Sequence, residues 1–189
     1  MEMKTPKGVN SMIEIQLIDE AHKGDIRLKN DSFPLYGRMM PSYNGKQWSY
    51  TIEKFPPEEC GEMTFPDEPY DYDKMAECTF FVGAYAGERC VGLAVLERGF
   101  FKYLYLSDLK VASGCRGRGI GQMLIERCLE IAKEQKMQGI SLTVQDNNLS
   151  ACLFYLKVGF RIGGLDTETY NGTSQEGKAD IEMYRDVSC

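Results

Sequence analysis

One stretch of the sequence decides the fold: Val111-Ala112-Ser113-Gly114-Cys115-Arg116-Gly117-Arg118-Gly119-Ile120-Gly121-Gln122. An extended, apolar-rich run leads into it from Phe101, and a strongly amphipathic helical pattern follows it. Glycines let backbone N–H groups converge without obstruction by Cβ atoms, and the first turn of a helix offers unpaired donors at the positive end of its dipole. A strand, a turn rich in glycine and arginine, and a helix N-terminus together predict a site that binds phosphate groups.

Length and composition predict a single domain, residues 1–189, with an apolar fraction ample for one core. The first twelve residues are polar and charged, and no apolar run approaches membrane-spanning length, so we expect neither a signal peptide nor a transmembrane helix. Seven scattered cysteines without a C-x-x-C pair favour a reduced, cytoplasmic protein. With His22 as the single histidine, we expect no metal site and no catalysis by histidine.

The net charge of −6 comes from one acidic segment. Between residues 53 and 77, nine acidic residues accompany only two lysines, whereas the rest of the chain is nearly balanced. This charge is unsuited to nucleic acid and suits a cationic partner, although a solvated loop that aids solubility explains it equally well. Five acids of this segment are candidate substrate-binding residues: Glu58, Glu59, Asp67, Asp71 and Asp73.

The first half of the chain predicts antiparallel strands. Residues 11–17 alternate between apolar and polar, as a half-buried strand does. Residues 25–73 are irregular and rich in proline and aromatic side chains, which predicts short helices and loops packed across a sheet. Regular patterns over residues 79–84, 89–96 and 101–111, joined by tight links, predict a three-stranded antiparallel meander.

The second half of the chain predicts helices that alternate with strands. An apolar helical face follows the glycine turn, formed by Ile120, Met123, Leu124, Cys128, Ile131 and Ala132. Gly139 is expected to cap or follow this helix, and residues 140–144 to form a strand parallel to the one that ends at Val111, because a helix intervenes. A second helix is predicted over residues 150–158, ended by Gly159, and then a final strand pair.

Three interpretations of the glycine turn compete. The dinucleotide fingerprint G-x-G-x-x-G does not fit, because the third position after Gly117 and Gly119 is Gln122. A P-loop does not fit either, since no G-K-[ST] follows the turn. A plain strand-to-helix connection requires fewer glycines and arginines than this turn carries, so binding of phosphate groups is favoured.

Two motifs resemble those of the GNAT superfamily of acyl-CoA-dependent N-acetyltransferases. The signature Arg/Gln-x-x-Gly-x-Gly/Ala is matched by Arg116-Gly-Arg-Gly119-Ile-Gly121, and Asn-x-x-Ala-x-x-Phe-Tyr-x-x-x-Gly-Phe by the residues from Asn148 to Phe160. The resemblance implies a single-domain α/β GNAT fold, with an antiparallel N-terminal meander and a parallel pair splayed around an acetyl-CoA site. It implies a cofactor-binding core of about residues 79–170, with the acidic, aromatic segment of about residues 25–77 on the substrate side.

The resemblance also implies how this chain would hold acetyl-CoA. The pyrophosphate would bind the backbone amides of the turn, with arginine side chains adding charge, and the strand before the turn would pair its backbone with the pantetheine arm. Asn148 and Tyr155 would line the thioester end. The implied cofactor-binding residues are Leu109, Lys110, Val111, Arg116, Gly117, Arg118, Gly119, Ile120, Gly121, Gln122, Asn148 and Tyr155.

A narrower resemblance is to streptothricin acetyltransferases, which acetylate an amine of a polycationic antibiotic. It rests on Gln-Asp-Asn-Asn at residues 145–148, on Gly163-Gly164-x-Asp166-x-x-x-Tyr170, and on Gly-Arg-Met-Met-Pro-x-Tyr at residues 37–43, with Trp48 following. This likeness implies that Trp48 and Tyr170 lie at the substrate, and the acidic segment would suit a polycation.

Acetyl transfer needs a group that takes the amine's proton and a donor for the departing thiolate. Tyr155 resembles the family's thiolate-protonating tyrosine, and a phenol pKa near 10 suits an acid at neutral pH. The family's glutamate is replaced by Ser107, and a further acid of the streptothricin-like enzymes is missing near Thr143. Asp108 is therefore our first candidate for the base, because its strand borders the expected thioester; the alternatives are Asp146, Glu97 or a chain of water molecules.

The sequence thus predicts a cytoplasmic, acetyl-CoA-dependent N-acetyltransferase that acts on a small cationic amine, with a streptothricin-type antibiotic as the most specific candidate. One alternative is a protein acetyltransferase acting on an N-terminal amine or lysine, with the aromatic residues from Tyr36 to Tyr50 forming a peptide groove. Another is a non-catalytic module that binds acyl-CoA, favoured by the missing acids at Ser107 and Thr143. We expect no nucleic-acid or membrane partner, and the sequence leaves monomer and homodimer open.

Overall fold

The computed structural model describes residues 12–99 and 101–188. This part of the chain forms a seven-stranded central sheet and two small two-stranded sheets, with three α-helices. The strands are β1 Ile13–Leu17, β2 Phe33–Leu35, β3 Gly37–Tyr43, β4 Trp48–Lys54, β5 Gly61–Met63, β6 Thr79–Ala86, β7 Arg89–Arg98, β8 Tyr103–Val111, β9 Gly139–Gln145, β10 Arg161–Asp166 and β11 Asp180–Asp186. The helices are α1 Tyr72–Met75, α2 Ile120–Glu134 and α3 Leu149–Lys157, and short 3-10 helices cover Glu20–Arg27 and Ser113–Cys115.

The strand order in the central sheet is β1-β6-β7-β8-β9-β11-β10. Strands β6, β7 and β8 form the predicted antiparallel meander, and β8 pairs with β9 in parallel across the helix α2. The other paired neighbours in this sheet are antiparallel. The predicted mixed α/β architecture is therefore confirmed; of the first predicted strand, Ser11 lies outside the described residues.

The main core lies between the central sheet and the helices α2 and α3. It takes the apolar face of α2, with Ile120, Leu124, Cys128 and Ile131 almost fully buried, as the helical periodicity predicts. The prediction was wrong for Met123, which is 39% exposed at the edge of this face. A smaller core on the other face of the sheet is covered by the 3-10 helix Glu20–Arg27 and by aromatic residues of the acidic segment: its buried members are Ile18, Ile26, Phe81, Leu93 and Val95.

Two local predictions differ from the structure. The irregular segment, expected to form short helices and loops, contains a regular hairpin, β3–β4, in which Met39 is fully buried in the main core and β3 packs against α3. Gly139 does not cap α2; it begins β9, where a Cβ atom would collide with the Arg185 carbonyl oxygen. Close approach of β11, rather than a helix end, explains this glycine.

Strands β8 and β9 separate soon after they meet. Their pairing covers Tyr103 to Tyr105 on β8 and Gly139 to Ser141 on β9, and ends there. Beyond this point β8 continues to pair with β7, and β9 with β11. The result is a wedge-shaped opening in the middle of the sheet, bordered by residues 106–111 and 142–145, which is the splayed parallel pair that the resemblance implies.

A β-bulge at Ser107 decides which face of the sheet carries Asp108. Leu106 pairs with Leu96 and Asp108 pairs with Val95, so Ser107 is the extra residue. Leu96 and Leu106 belong to the main core under α2, whereas Val95 belongs to the smaller core on the opposite face. Directly paired residues share a face, and an inserted residue reverses the alternation. Asp108 therefore lies on the face opposite the helices α2 and α3.

Candidate active site

The edges of the opening carry backbone groups with no partner strand. The Ala112 N–H donates to the Val91 carbonyl, 2.9 Å away. In an antiparallel strand the backbone N–H and C=O groups of successive residues point to alternate sides. Those of Ala112 and Lys110 therefore point toward β7, and those of Leu109 and Val111 point into the opening. An extended ligand lying in the opening would meet the N–H groups of Leu109 and Val111 and the Leu109 carbonyl, as expected for the amide-containing arm of coenzyme A, whereas the Val111 carbonyl accepts from Arg116.

The glycine turn leads from this edge to the N-terminus of α2. Gly117 and Gly119 have φ angles of 75° and 81°, a left-handed conformation that disfavours other residues. Gly119 is the N-cap of α2, and no side chain caps the helix. The first turn of α2 contains no acidic residue, so its N–H groups and dipole present an uncompensated positive end. The residues therefore fit a pyrophosphate at this helix end.

The other residues of the turn have structural contacts that the sequence did not predict. Arg116 donates to the carbonyl oxygens of Val111, Ser32 and Asp31, at 3.0, 2.6 and 3.4 Å. A Cβ atom on Gly121 would lie 3.0 Å from the Phe154 ring, so this glycine allows α2 to approach α3 closely. The side chain of Arg116 therefore fixes the turn against residues 31–32, while Arg118, Ile120 and Gln122 continue the turn into the helix.

Tyr155 lies on α3, on the helix side of the opening. It is 9% exposed and packs edge-on against Phe154 and Phe160, with ring centroids 5.3 and 5.4 Å apart. Burial raises the pKa of the Tyr155 phenol, and the charge of Asp108 raises it further. Both effects favour the protonated phenol.

Asp108 is part of a buried ion pair. Its Oδ2 atom accepts a hydrogen bond from Lys110 Nζ at 2.8 Å and one from the Tyr70 hydroxyl at 3.3 Å. The Lys110 ammonium also lies 5.9 Å from the centroid of the Tyr70 ring. Burial raises the pKa of Asp108, whereas Lys110 and Tyr70 oppose that rise. Both partners use Oδ2, so Oδ1 has no side-chain partner among the described residues.

The remaining candidates near the thioester have different surroundings. Asn148 is the N-cap of α3, where its side chain accepts from the Ala151 N–H at 3.3 Å. Asp146 is 3% exposed at the end of β9, with Arg38 Nη1 3.7 Å from its Oδ2 atom, and burial raises its pKa. Glu97 pairs with Tyr105 at the narrow end of the opening. Among these acids, Asp108 borders the opening, and its charge raises the pKa of Tyr155.

The acidic segment carries less uncompensated charge than its composition indicates. Its predicted substrate-binding aspartates all form exposed ion pairs: Asp67 with Lys29 at 2.7 Å, Asp71 with Lys74 at 2.6 Å, and Asp73 with Lys23 at 3.0 Å. Glu58 and Glu59 are exposed in the loop before β5. A surface cleft of about 350 Å³ lies between residues 27–29 and 67–71, and Tyr70 connects it to Asp108.

The two aromatic candidates lie apart in sequence and in their contacts. Trp48 begins β4 and stacks on Tyr43, with centroids 5.1 Å apart, beside the main core. Tyr170 lies in the loop between β10 and β11 and donates a hydrogen bond to Asp180 Oδ1 at 2.8 Å. Burial raises the pKa of Tyr170 to about 12, and the bond to Asp180 acts in the same direction. Their contact with substrate stays a prediction.

The structure also adds two acids that the sequence analysis missed. Asp180 and Glu182 lie on β11, paired with Gln145 and Thr143 of β9. Their neighbours Ile181 and Met183 are buried in the main core, so the two carboxylates lie on the same face as Asp108. Strand alternation around residue 181 would have placed both on one face, but their position next to β9 depends on the order of the strands.

Two classes of feature were not found in the described part of the chain. Residues 12–99 and 101–188 contain no group of three His, Cys, Asp or Glu side chains placed to hold a metal ion. No α-helix within these residues is sufficiently long and apolar to cross a lipid bilayer.

Comparisons with known proteins agree with this geometry. The model of the acetyltransferase (GNAT) family matches residues 47–160, more than half of the chain. Streptothricin acetyltransferase A of Bacillus subtilis is 32% identical over 161 residues, which cover 85% of this chain and 92% of the relative. A streptothricin acetyltransferase of Streptomyces lavendulae is 32% identical over 109 residues, 57% of this chain and 58% of the relative.

A solved structure is similar over nearly the whole chain. It is that of a candidate streptothricin acetyltransferase from Bacillus anthracis in complex with acetyl coenzyme A. The TM-score is 0.83 and the identity 28%, over 93% of this chain and 99% of the other. These matches agree with the opening in the sheet and with the α2 N-terminus that no side chain caps. The chain belongs to the acetyltransferase (GNAT) family and uses acetyl-CoA.

Proposed function

We propose that this protein transfers the acetyl group of acetyl-CoA to an amine of a small polycationic molecule of the streptothricin class. The proposal rests on Asp108 and Tyr155, which lie on opposite faces of the sheet: one would take a proton and the other would give one. The relative named streptothricin acetyltransferase A, matched over most of both chains, supports the choice of acceptor.

Bound acetyl-CoA supplies an activated acetyl thioester. The chain's own residues would then hold and move protons around it. Amides of the glycine turn and of α2 would bind the pyrophosphate, and the β8 edge at Leu109 and Val111 would align the pantetheine arm. The N–H groups at this edge would also polarise the thioester carbonyl. Asp108 Oδ1 would accept the proton that the attacking amine loses, and Tyr155 would donate its proton to the departing sulfur.

The acceptor would approach from the face opposite the helices. Asp108 is on that face, and Tyr70 connects it to the cleft, which is lined by three acids, Asp67, Glu68 and Asp71, and by two bases, Arg27 and Lys29. Because the two aspartates of this cleft form ion pairs with lysines, Glu68 would contribute most of its attraction for a cationic amine. We also propose a cytoplasmic location, consistent with six free thiols in the described residues.

Thiol release separates the candidate acceptors. Purified protein is incubated with acetyl-CoA and, in turn, with streptothricin, polyamines, aminoglycosides, or peptides with a free N-terminus or lysine. We expect turnover with streptothricin at the highest kcat/KM. Turnover confined to peptides would instead indicate a protein acetyltransferase, and tight coenzyme A binding without turnover of any acceptor would indicate a non-catalytic module.

A further inference from the structure

The face of the sheet opposite α2 and α3 carries a pair of carboxylates on β11. Asp180 and Glu182 are two residues apart on one strand, so they point to the same side, roughly 7 Å from each other. Both lie next to β9, which borders the opening. Neither carboxylate forms an ion pair with a Lys or Arg of the described residues. Arg38 instead contacts the neighbouring Asp146.

Glu182 is held in place by its neighbours on both adjoining strands. The Thr143 hydroxyl donates to Glu182 Oε1 at 2.9 Å. On the other side, a Cβ atom on Gly164 would lie 3.1 Å from Glu182 Cβ and 3.2 Å from its Cγ, so the glycine leaves room for the side chain. Glu182 therefore holds a carboxylate beside Thr143 of β9, the strand that borders the opening.

Gln145 adds an unpartnered acceptor beside Asp180. Gln145 is 6% exposed and pairs directly with Asp180 in the sheet. Its amide nitrogen donates to Gln175 Oε1 at 3.0 Å, whereas its own Oε1 atom is buried without a partner. A buried acceptor without a hydrogen bond is costly and marks a place where a donor is missing. Two carboxylates and this oxygen form a group of acceptors, and the nearby Lys178 ammonium donates to Gln175 Oε1 at 3.0 Å instead of forming an ion pair with either carboxylate.

The charge of Asp180 is only partly compensated by its surroundings among the described residues. Burial raises the pKa of Asp180, and the charge of Asp166 raises it further, so negative charge at this place is unfavourable in the absence of a cation. The Tyr170 hydroxyl, which donates to Asp180 Oδ1, partly compensates this charge. A ligand ammonium, which brings three N–H donors and one positive charge, would satisfy the carboxylates and the free amide oxygen together.

We propose that Glu182, Asp180 and Gln145 form a subsite that binds a cationic amino group of the acceptor on the face of the sheet opposite α2 and α3. The inference rests on the proposed function, and it assigns recognition of the acceptor's charge to β11 rather than to the ion-paired aspartates of the acidic segment. Glu182 would be a binding residue, while Asp108 across the opening remains the residue that accepts the proton.

Direct binding tests the subsite independently of turnover. Streptothricin is titrated calorimetrically into the protein saturated with coenzyme A, for the wild type, Glu182→Gln and Asp180→Asn. Both variants preserve side-chain size and remove one charge, and we expect each to raise the Kd for streptothricin about tenfold. The matched control is Glu88→Gln in the exposed turn between β6 and β7, which should change the Kd less than about twofold.

One further variant tests the position of the Glu182 side chain, and two measurements test whether the charge variants fold normally. Gly164→Ala preserves all charges but places a Cβ atom against Glu182, and we expect it to weaken streptothricin binding as well. Affinity for coenzyme A and the Tm should stay near the wild-type values in Glu182→Gln, because Thr143 can still hydrogen-bond an amide oxygen at that position. Wild-type affinity for streptothricin in both Glu182→Gln and Asp180→Asn would overturn the subsite.

Thiol release measured on the same samples separates the two proposals. If the wild type acetylates streptothricin and neither charge variant changes its KM, the subsite is wrong and the proposed function stands. If the wild type binds streptothricin through Glu182 without acetylating it, the proposed function is wrong and the subsite stands. A wild type that neither binds nor acetylates it overturns both.

Discussion

At Asp108, opposing effects act on one carboxyl group. Burial raises its pKa, while Lys110 and Tyr70 hold one of its oxygens by hydrogen bonds and limit the rise. Tyr155, on the other side of the opening, experiences burial and the charge of Asp108, which both raise its pKa. Lys110 and Tyr70 thus favour the ionised form of Asp108 that a base needs, and burial favours the protonated form of Tyr155 that an acid needs.

Replacing Tyr155 by Phe tests its role as the acid. We expect kcat to fall at least about tenfold, with the Kd for acetyl-CoA near that of the wild type, because only the hydroxyl is removed. Since the phenol pKa lies above its ordinary value of about 10, the wild-type kcat should show no alkaline loss from Tyr155 below about pH 10. Thiol release and calorimetry check both points, and an unchanged kcat would remove Tyr155 from the mechanism.

The acidic limb of the pH profile tests Asp108. A carboxylate accepts a proton only when it is ionised, so kcat/KM should fall as the pH drops through the pKa of Asp108. Because that pKa is raised above 3.8, the loss should begin at a higher pH than for an ordinary aspartate. Asp108→Asn should lower kcat about a hundredfold and abolish this limb. An acidic limb that persists in Asp108→Asn would assign the base elsewhere.

The free energy of unfolding distinguishes the structural role of the Asp108–Lys110 ion pair from the catalytic role proposed for Asp108. Asp108 and Lys110 are 14% and 8% exposed, so Asp108→Asn leaves a buried ammonium without its partner and should cost about 3 kcal/mol. Asp108→Asn combined with Lys110→Met should recover much of the free energy of unfolding without recovering activity. Denaturant titration and thiol release measure the two effects, and recovery of activity in the double variant would contradict the assignment of Asp108.

At the scale of elements, the glycine turn joins β8 to α2 and is held by Arg116. The periodicity of the apolar residues was sufficient to predict α2, α3 and the meander, because each pattern is local. The hairpin β3–β4 was not predicted, since prolines and exposed aromatic residues obscured its alternation. The contacts of Arg116 with residues 31–32 join segments far apart in sequence, and local patterns contain no information on them.

Replacing Arg116 by Ala distinguishes a structural from an electrostatic role. Loss of its hydrogen bonds to three carbonyl oxygens should destabilise the protein by about 1–2 kcal/mol and weaken coenzyme A binding through a less ordered turn. The salt dependence of coenzyme A binding should stay as in the wild type if the guanidinium does not contact the phosphates. A clearly shallower dependence in Arg116→Ala would show a direct phosphate contact.

For the whole molecule, the fold rather than the composition determines which acidic residues have a Lys or Arg partner. The acidic segment is partly neutralised by Lys23 and Lys29, which precede it in the sequence, whereas Asp180 and Glu182 from the C-terminal part of the chain lack such partners among the described residues. The face that carries Asp108, Asp180 and Glu182 therefore contributes negative charge where the acceptor would approach.

Ionic strength tests this distribution of charge. With streptothricin as the acceptor, kcat/KM should fall several-fold between roughly 20 and 200 mM salt, because screening weakens the attraction of a polycation. The kcat at saturating acceptor should change little, since it excludes the encounter step. Equal salt dependence in the wild type and Glu182→Gln would show that Glu182 contributes nothing to that attraction.

The sequence by itself determined the α/β class and the glycine turn before α2, because these depend on glycines and apolar residues at short, fixed spacings, and its resemblance to known motifs indicated the family and the use of acetyl-CoA. Tertiary structure alone decided which acids face the opening. A single bulge at Ser107 moves Asp108 to the face opposite α2 and α3, and the strand order brings Glu182 beside Thr143. Both follow from pairing between strands that are distant in the chain, where a shift of one residue exchanges the two faces of the sheet.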